Sequence, residues 1–238
     1  MSQVNLPGQT HVADGPHDHT GMYVMHHAFR RDLARFASGI AMTPLGEVDT
    51  WSALSRRWDR FTHVLHEHHH AEDEHYWPVL DAAVTTRGTG FDRAEVEAMS
   101  TEHAEIDPAL AALTGAFHAM VQHPCEDHRH ALEIRLAGLR EVLGAHLEHE
   151  ETVVLPLVQR VMSAADFAAV ERAIESGYRL RDAPFLIGWV VDGLPTDVRE
   201  RILTRSGPPF RILYAVVHRA HARREQRAFR YGGLLGVA

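Results

Sequence analysis

The sequence predicts an all-α protein, an antiparallel four-helix bundle with additional C-terminal helices. Three observations lead to this fold class. Four long segments repeat apolar residues in alternating steps of three and four, the period of a helix with one buried face. Short connections separate these segments, and short connections favour antiparallel neighbours. No segment shows the two-residue alternation that is typical of a strand.

The four long helices are delimited by breakers and capping residues. They are predicted at about residues 19–40, 50–88, 91–123 and 126–162. Thr50 is a candidate N-cap of the second helix, which ends near Gly88. Pro124 stops the third helix, because proline cannot donate the backbone hydrogen bond that a helix needs. Ser163 is a candidate N-cap of a shorter helix that ends at Gly177.

Two further segments flank the bundle, which we assign to residues 19–162. Residues 1–18 have no apolar period and are expected to form a mobile, solvated N-terminal arm. Residues 163–238 form a C-terminal helical extension, in which 210–229 is predicted to be helical, and six arginines lie between Arg211 and Arg230. Such a basic helix either docks on its own bundle with the arginines solvated, which we favour, or offers a surface to a membrane or a partner.

Composition narrows the class of protein. The formal charge of −8 argues against nucleic acid as a partner, since nucleic-acid binding needs a clustered basic face. A single cysteine, Cys125, cannot build a disulfide framework, and this favours a reducing compartment, the cytoplasm. No secretory signal and no apolar run of roughly 20 residues is found, so no membrane span is expected. The unusual number is the 20 histidines.

Four histidines lie on the apolar stripes, one on each helix: His26, His68, His103 and His146. The second and fourth stripes each add a glutamate four residues later, Glu72 and Glu150, and residues four apart share a helix face. Two buried carboxylates without partners would repel each other at a high energetic cost. Cations between them remove that cost, and nitrogen and oxygen donors without sulfur suit iron, manganese or zinc.

The second and fourth helices share a local repeat, His-x3-Glu-x5-Pro, at residues 68–78 and 146–156. We expect the prolines to kink or break each helix beyond the glutamate. His69 and His70 are expected to point away from the site, one helical step of about 100° per residue off the stripe. His75 lies on the predicted stripe and completes half of a ferritin-like Glu-x2-His signature, but Val153 stands at the matching position of the fourth helix.

These motifs resemble the hemerythrin-like proteins with HHE cation-binding domains. The resemblance rests on His26 to Arg30 in the first helix, the two repeats, and Glu102-His103 in the third helix, and it covers roughly residues 19–160. It implies two iron ions with an oxo or hydroxo bridge, favoured over manganese or zinc. His26 and His68 would bind one iron, His103 and His146 the other, and Glu72 and Glu150 would bridge them.

Two departures from the oxygen carriers bear on function. The carriers have a second histidine four residues from the third-helix ligand, where this chain has Met99 and Asp107, and they use His-x4-Asp in the last helix. The ligand set is closer to bacterial iron-repair and nitric-oxide-related members. The resemblance therefore implies a protein that binds or reacts with O2, peroxide or nitric oxide. A non-catalytic O2, nitric-oxide or iron sensor and an iron-handling module remain alternatives, as does a structural zinc site. A peroxide-decomposing or nitric-oxide-reducing enzyme is left open.

Overall fold

A computed structural model describes residues 3–177 and 179–232. Within these ranges the chain is helical and has no β-strand, which confirms the predicted all-α class. The helices are α1 (Thr20–Met42), α2 (Val48–Ala71), α3 (Trp77–Arg87), α4 (Gly90–Gln122), α5 (Glu126–His149), α6 (Leu155–Val161), α7 (Ala164–Gly177), α8 (Ala183–Val190), α9 (Thr196–Arg205) and α10 (Pro208–Ala228). None of them is both long and apolar enough to cross a membrane.

The ends of the four long helices lie within two residues of their predicted positions. Before α4, the Thr89 hydroxyl accepts from the Asp92 N–H while the Asp92 carboxylate accepts from the Thr89 N–H, a reciprocal capping box. Ser163 caps α7 as predicted, since its hydroxyl oxygen accepts from the Asp166 N–H at 3.1 Å. The prediction that Thr50 is an N-cap is wrong, because α2 already begins at Val48.

Two π-helical turns, Glu72–Tyr76 and Glu150–Val154, interrupt the predicted second and fourth helices. In each, a backbone N–H donates to a carbonyl five residues earlier, Trp77 to Glu72 and Leu155 to Glu150. A proline follows each turn, and the wider turn accommodates a ring that would crowd a regular helix. The extra residue in each turn rotates the helix that follows it.

This rotation corrects the predicted stripes beyond each glutamate. His75 is predicted on the buried stripe of the second helix, whereas Tyr76 is the buried residue. The fourth helix shifts in the same way, with Val154 buried in place of Val153. A period read from sequence assumes 3.6 residues per turn, so a single inserted residue displaces every later position by one.

The four long helices contact one another in a closed ring, α1 with α2, α2 with α4, α4 with α5, and α5 with α1. Aromatic side chains fill the interior at one level, where Trp58 stacks on Phe61 and Phe117 with ring centroids 5.1 and 5.4 Å apart. All three are fully buried, and burying each contributes roughly 1.5–3 kcal/mol. These rings belong to the larger of the apolar clusters in the interior.

A polar layer separates this larger cluster from a second one built by α3, α6, α7 and the adjoining ends of the long helices. Along α2 and the π-helical turn after it, Leu65 of the larger cluster comes before the polar layer and Tyr76 of the second cluster comes after it. On α4 the order is reversed, with Met99 of the second cluster before the layer and Ile106 of the larger cluster after it. Polar groups from all four long helices therefore meet at one level of the interior.

The C-terminal extension docks on the long helices, as we favoured. α10 contacts α2, α8 and α9, and its five arginines are exposed, as is Arg230 just beyond the helix. The fully buried Asp32 accepts from Arg31 at 2.8 Å and from the Trp189 indole N–H at 2.7 Å, and it pairs with Arg57. The Arg57 guanidinium also donates to Glu225 of α10 at 2.6 Å.

Residues 3–18 differ from the solvated arm that we expected. Val4, Leu6 and Ala13 are buried and pack with side chains of α1, α8 and α9. The Thr10 N–H and hydroxyl both donate to Glu151, at 2.7 and 2.6 Å. The segment has no helical or strand period, so the burial of these apolar residues could not be predicted from the sequence.

Candidate metal centre

The structure brings all six predicted metal-binding residues together in the polar layer. His26 comes from α1, His68 from α2, His103 from α4 and His146 from α5. Glu72 and Glu150 are the first residues of the two π-helical turns, and both are essentially inaccessible to solvent.

Each glutamate lies between two histidines that come from different helices. Glu72 Oε1 is 3.3 Å from His68 Nε2, and Glu72 Oε2 is 3.6 Å from His103 Nε2. Glu150 Oε2 is 3.1 Å from His26 Nε2 and 3.5 Å from His146 Nε2. Each carboxylate therefore reaches one imidazole from each of two helices, Glu72 through both of its oxygens and Glu150 through Oε2.

The donor atoms of this layer have no well-aligned hydrogen bonds within the described part of the chain. The unpartnered buried atoms include Nε2 of all four histidines and both carboxylate oxygens of Glu72 and Glu150. Buried polar atoms are costly when they lack partners, and native interiors rarely contain several at one place. Imidazole nitrogens and carboxylate oxygens are donors that iron, manganese and zinc accept, so the residues fit a metal pair.

The electrostatics of the layer also favour a cation. Burial, reinforced by the charge of Glu150, raises the pKa of the Glu72 carboxyl well above its usual range. Burial alone would raise the pKa of Glu150 too, but His146 and His26 hold it well below its usual range. Burial and the neighbouring His26 lower the pKa of His68 to about 3, so its ring is neutral and free to donate a lone pair.

Carboxylates outside the layer orient three of the four histidines through Nδ1. The pairs are His26 with Glu151 at 2.9 Å, His103 with Asp73 at 3.1 Å, and His146 with Glu102 at 2.8 Å. A carboxylate on Nδ1 holds the ring proton there and directs the Nε2 lone pair inward, the usual support of a metal-bound histidine. These roles were not predicted from the sequence, although each carboxylate directly adjoins a predicted ligand along the chain.

His69 contradicts our prediction that its side chain points away from the site. The residue is only 4% exposed, and its ring stacks on His103 with centroids 4.0 Å apart and 7° between the planes. The buried stripe of α2 runs through Leu65, His69, Glu72 and Tyr76, whereas His68 lies at its edge. His70 is exposed, as predicted. The prediction assumed a stripe one residue wide. The buried face of α2 is wide enough at this level to cover His69 and most of His68.

Two tyrosines near the predicted ligands in sequence have different positions. Tyr76 is buried with an unpartnered hydroxyl, and burial together with Glu72 and Glu150 raises its pKa well above the usual range. Tyr76 therefore lies within electrostatic range of both carboxylates. The Tyr23 hydroxyl instead accepts from the Ala13 N–H at 2.8 Å and anchors the N-terminal segment.

A separate group of carboxylates and a histidine lies under α10 and consists of Asp192, His221 and Glu225. Arginines neutralise both carboxylates, because Arg35 pairs with Asp192 at 2.5 Å and Arg57 pairs with Glu225 at 2.6 Å. This group is therefore part of the ion-pair network that fastens the C-terminal extension.

Comparison with known proteins gives one match. The family model described as the hemerythrin HHE cation-binding domain matches residues 18–158, more than half of the chain. No curated protein and no solved structure matches the chain.

Proposed function

Because the chain belongs to the family of the hemerythrin HHE cation-binding domain, we propose that it is a non-haem di-iron protein that binds or reacts with O2, peroxide or nitric oxide. The observation that carries the proposal is the pair of buried carboxylates, each of which lies within 3.6 Å of two imidazoles. Family membership supports cation binding. The donor set accepts iron, manganese or zinc, and iron is the metal that the resemblance implies.

In this proposal His26 and His68 hold one ion, His103 and His146 hold the other, and Glu72 and Glu150 bridge them. The distances support the division, because each glutamate reaches one histidine of each pair. Manganese or zinc in the same ligands is the less favoured occupancy.

We also propose that the four long helices form an antiparallel bundle. Along α4 the chain passes from the second apolar cluster through the polar layer to the larger cluster, and α1 runs from Met22, which packs against the second cluster, into the larger one. Along α2 and α5 it passes in the opposite order. Together with the closed ring of contacts between these helices, this alternation supports antiparallel neighbours.

When bound, the iron pair supplies redox chemistry and an exchangeable coordination position. The protein's own residues prepare the centre for it. Glu151, Asp73 and Glu102 keep the proton on Nδ1 of their histidines, so that Nε2 is free to bind. The fully buried Phe29, Leu65, Ile106 and Leu143 surround the layer on the side of the larger cluster and exclude water from it.

A turnover measurement tests the proposed reactivity. The reduced, iron-loaded protein is mixed in turn with O2, hydrogen peroxide and nitric oxide, and the equivalents consumed per iron pair are counted. An oxidoreductase consumes many equivalents of at least one of them, whereas a protein that only binds its ligand changes state once. If the protein reacts with none of the three ligands, the proposed function is ruled out.

A non-catalytic sensor is the second candidate, and one observation favours it. Phe29 contacts both the His68 ring and the Trp189 ring, with centroids 5.3 Å away in each case. Trp189 donates to the buried Asp32 that joins α1 to the C-terminal extension. A change at His68 thus has a packed route to α8 and α10. For either candidate we propose a cytoplasmic location, because a single cysteine favours a reducing compartment.

A further inference from the structure

His69 is a buried histidine whose side chain forms no hydrogen bond within the described residues. Both ring nitrogens, Nδ1 and Nε2, are inaccessible and unpartnered. A histidine kept in a core for structural reasons ordinarily donates from one nitrogen and accepts at the other. Leaving both nitrogens unpaired costs free energy that packing alone does not explain.

The surroundings of His69 are other metal-binding groups. Its ring lies 4.0 Å from His103 and 5.3 Å from His146 between centroids. One donor atom from each of these three histidines can be chosen so that all lie within 4.8 Å of one another. The His69 and His103 rings are stacked and nearly parallel, so a single ion would bind all three histidines only after one of these two rings turns to direct its nitrogen at the ion. Such an ion would satisfy three nitrogens that otherwise have no partner.

Helix geometry explains how the adjacent residues His68 and His69 can bind two different ions. His68 precedes Glu72 by four positions and His69 precedes it by three, and both spacings bring side chains onto neighbouring parts of one helix face. The two rings diverge by about 100° around the helix. His68 therefore lies beside His26, with ring centroids 5.7 Å apart, whereas His69 lies beside His103.

We propose that His69 is a metal ligand, the third imidazole on the ion held by His103 and His146. The inference rests on the proposed di-metal centre and deepens it. In this chain α2 supplies the nitrogen that the third helix lacks.

The two ions then differ in their protein ligands. One has three imidazoles and two bridging carboxylates, and the other has two imidazoles and the same two carboxylates. The ion with fewer ligands, held by His26 and His68, is the one left open to a small ligand. A surface cavity reaches this side, since His68 lines it together with Met25, His63, Val64, Phe185 and Leu186.

Iron binding by three variants tests the assignment. His69→Leu removes both nitrogens and keeps an apolar side chain of similar length, and His70→Leu makes the same change at an exposed position of the same helix. His26→Leu removes a ligand of the other ion. We expect His69→Leu to weaken binding of one iron at least about tenfold, the lower end of what even indirect support of a ligand is worth. His70→Leu should bind both irons like the wild type.

Two further readouts separate ligation from packing. X-ray absorption at the iron edge should show fewer imidazoles per iron in His69→Leu than in His70→Leu. The metal-free His69→Leu protein should melt no lower than the wild type, because no hydrogen bond is lost, while the rise in Tm on adding iron should shrink. Equal falls in Tm with and without iron would show a packing role and overturn the assignment.

The outcomes distinguish this inference from the proposed function. Wild-type binding of two irons in His69→Leu, combined with loss of iron in His26→Leu, would overturn the role of His69 and leave the di-iron proposal intact. A wild-type protein that binds no iron after anaerobic reconstitution would overturn both.

Discussion

Glu102 accepts a hydrogen bond from His146, with 2.8 Å between Glu102 Oε2 and His146 Nδ1. We predict that Glu102→Ala raises the Kd for iron by about ten- to a hundredfold, because the ring loses the partner that fixes its tautomer and orientation. Competition with a chelator measures the change. Glu105→Ala, at an exposed position on the same helix, is the control. Equal affinity in the two variants would show that Glu102 does not position the ligand.

Metal removal should lower the melting temperature. Ions that bind the native state and hardly the unfolded chain stabilise the fold by mass action, by about 2.7 kcal/mol at a free concentration one hundred times the Kd. Burial, reinforced by the charge of Glu150, raises the pKa of Glu72, so this interior disfavours a second negative charge that bound cations would compensate. Differential scanning calorimetry of the metal-free and reconstituted protein measures it. Identical melting temperatures would contradict a metal centre in the interior.

The buried Asp32 should make the fold sensitive to acid. Burial opposes its ionisation, but the charges of Arg57 and Arg31 hold its carboxyl pKa well below the usual range. A depressed pKa in the folded state means that the stabilisation is complete above the unfolded pKa of about 3.9 and is lost as the pH falls below it. Asp32→Asn should cost roughly 3 kcal/mol at pH 7 and flatten the acid limb of a stability profile.

Urea unfolding at several pH values tests this prediction. Asp59→Asn, an exposed aspartate on α2, serves as the control and should change stability little. An Asp32→Asn protein that keeps the wild-type dependence on acid would show that the network around Asp32 does not carry the effect.

Two glycine substitutions test how closely the C-terminal extension packs. A Cβ at Gly188 of α8 would lie 2.9 Å from His221 Cγ of α10, whereas a Cβ at Gly138 of α5 meets nothing within 4 Å. Gly188→Ala should therefore destabilise the protein by about 1–3 kcal/mol. Gly138→Ala should stabilise it by up to about 1 kcal/mol, since alanine favours a helix interior. Equal effects would mean that α8 and α10 do not pack as described.

The sequence was sufficient to predict the helices and the residues that meet in the candidate site for a physical reason. An amphipathic helix repeats its buried residues every three or four positions, so the apolar period alone identifies a histidine on the stripe as buried. His26, His103 and His146 were located in this way. The repeat of His-x3-Glu-x5-Pro similarly identified the two glutamates whose oxygens face the histidines.

The wrong predictions came from features that depart from a regular helical period. Each π-helical turn inserts one residue, and the prediction for His75 therefore failed while Tyr76 took the buried position. His69 was misplaced because the stripe on α2 is wider than one residue at the level of Glu72. The supporting acids Asp73, Glu102 and Glu151 have no period of their own, and only the three-dimensional contacts reveal their roles.

Mössbauer spectroscopy combined with iron analysis of the protein reconstituted with ⁵⁷Fe tests the central claim most directly, that Glu72 and Glu150 join two ions in one centre. We predict two irons per chain, and an oxidised form without net spin at low temperature, because bridged ferric ions couple. We further predict that Glu150→Ala loses this coupling. One iron per chain, or two uncoupled ferric ions in the wild type, would contradict the claim.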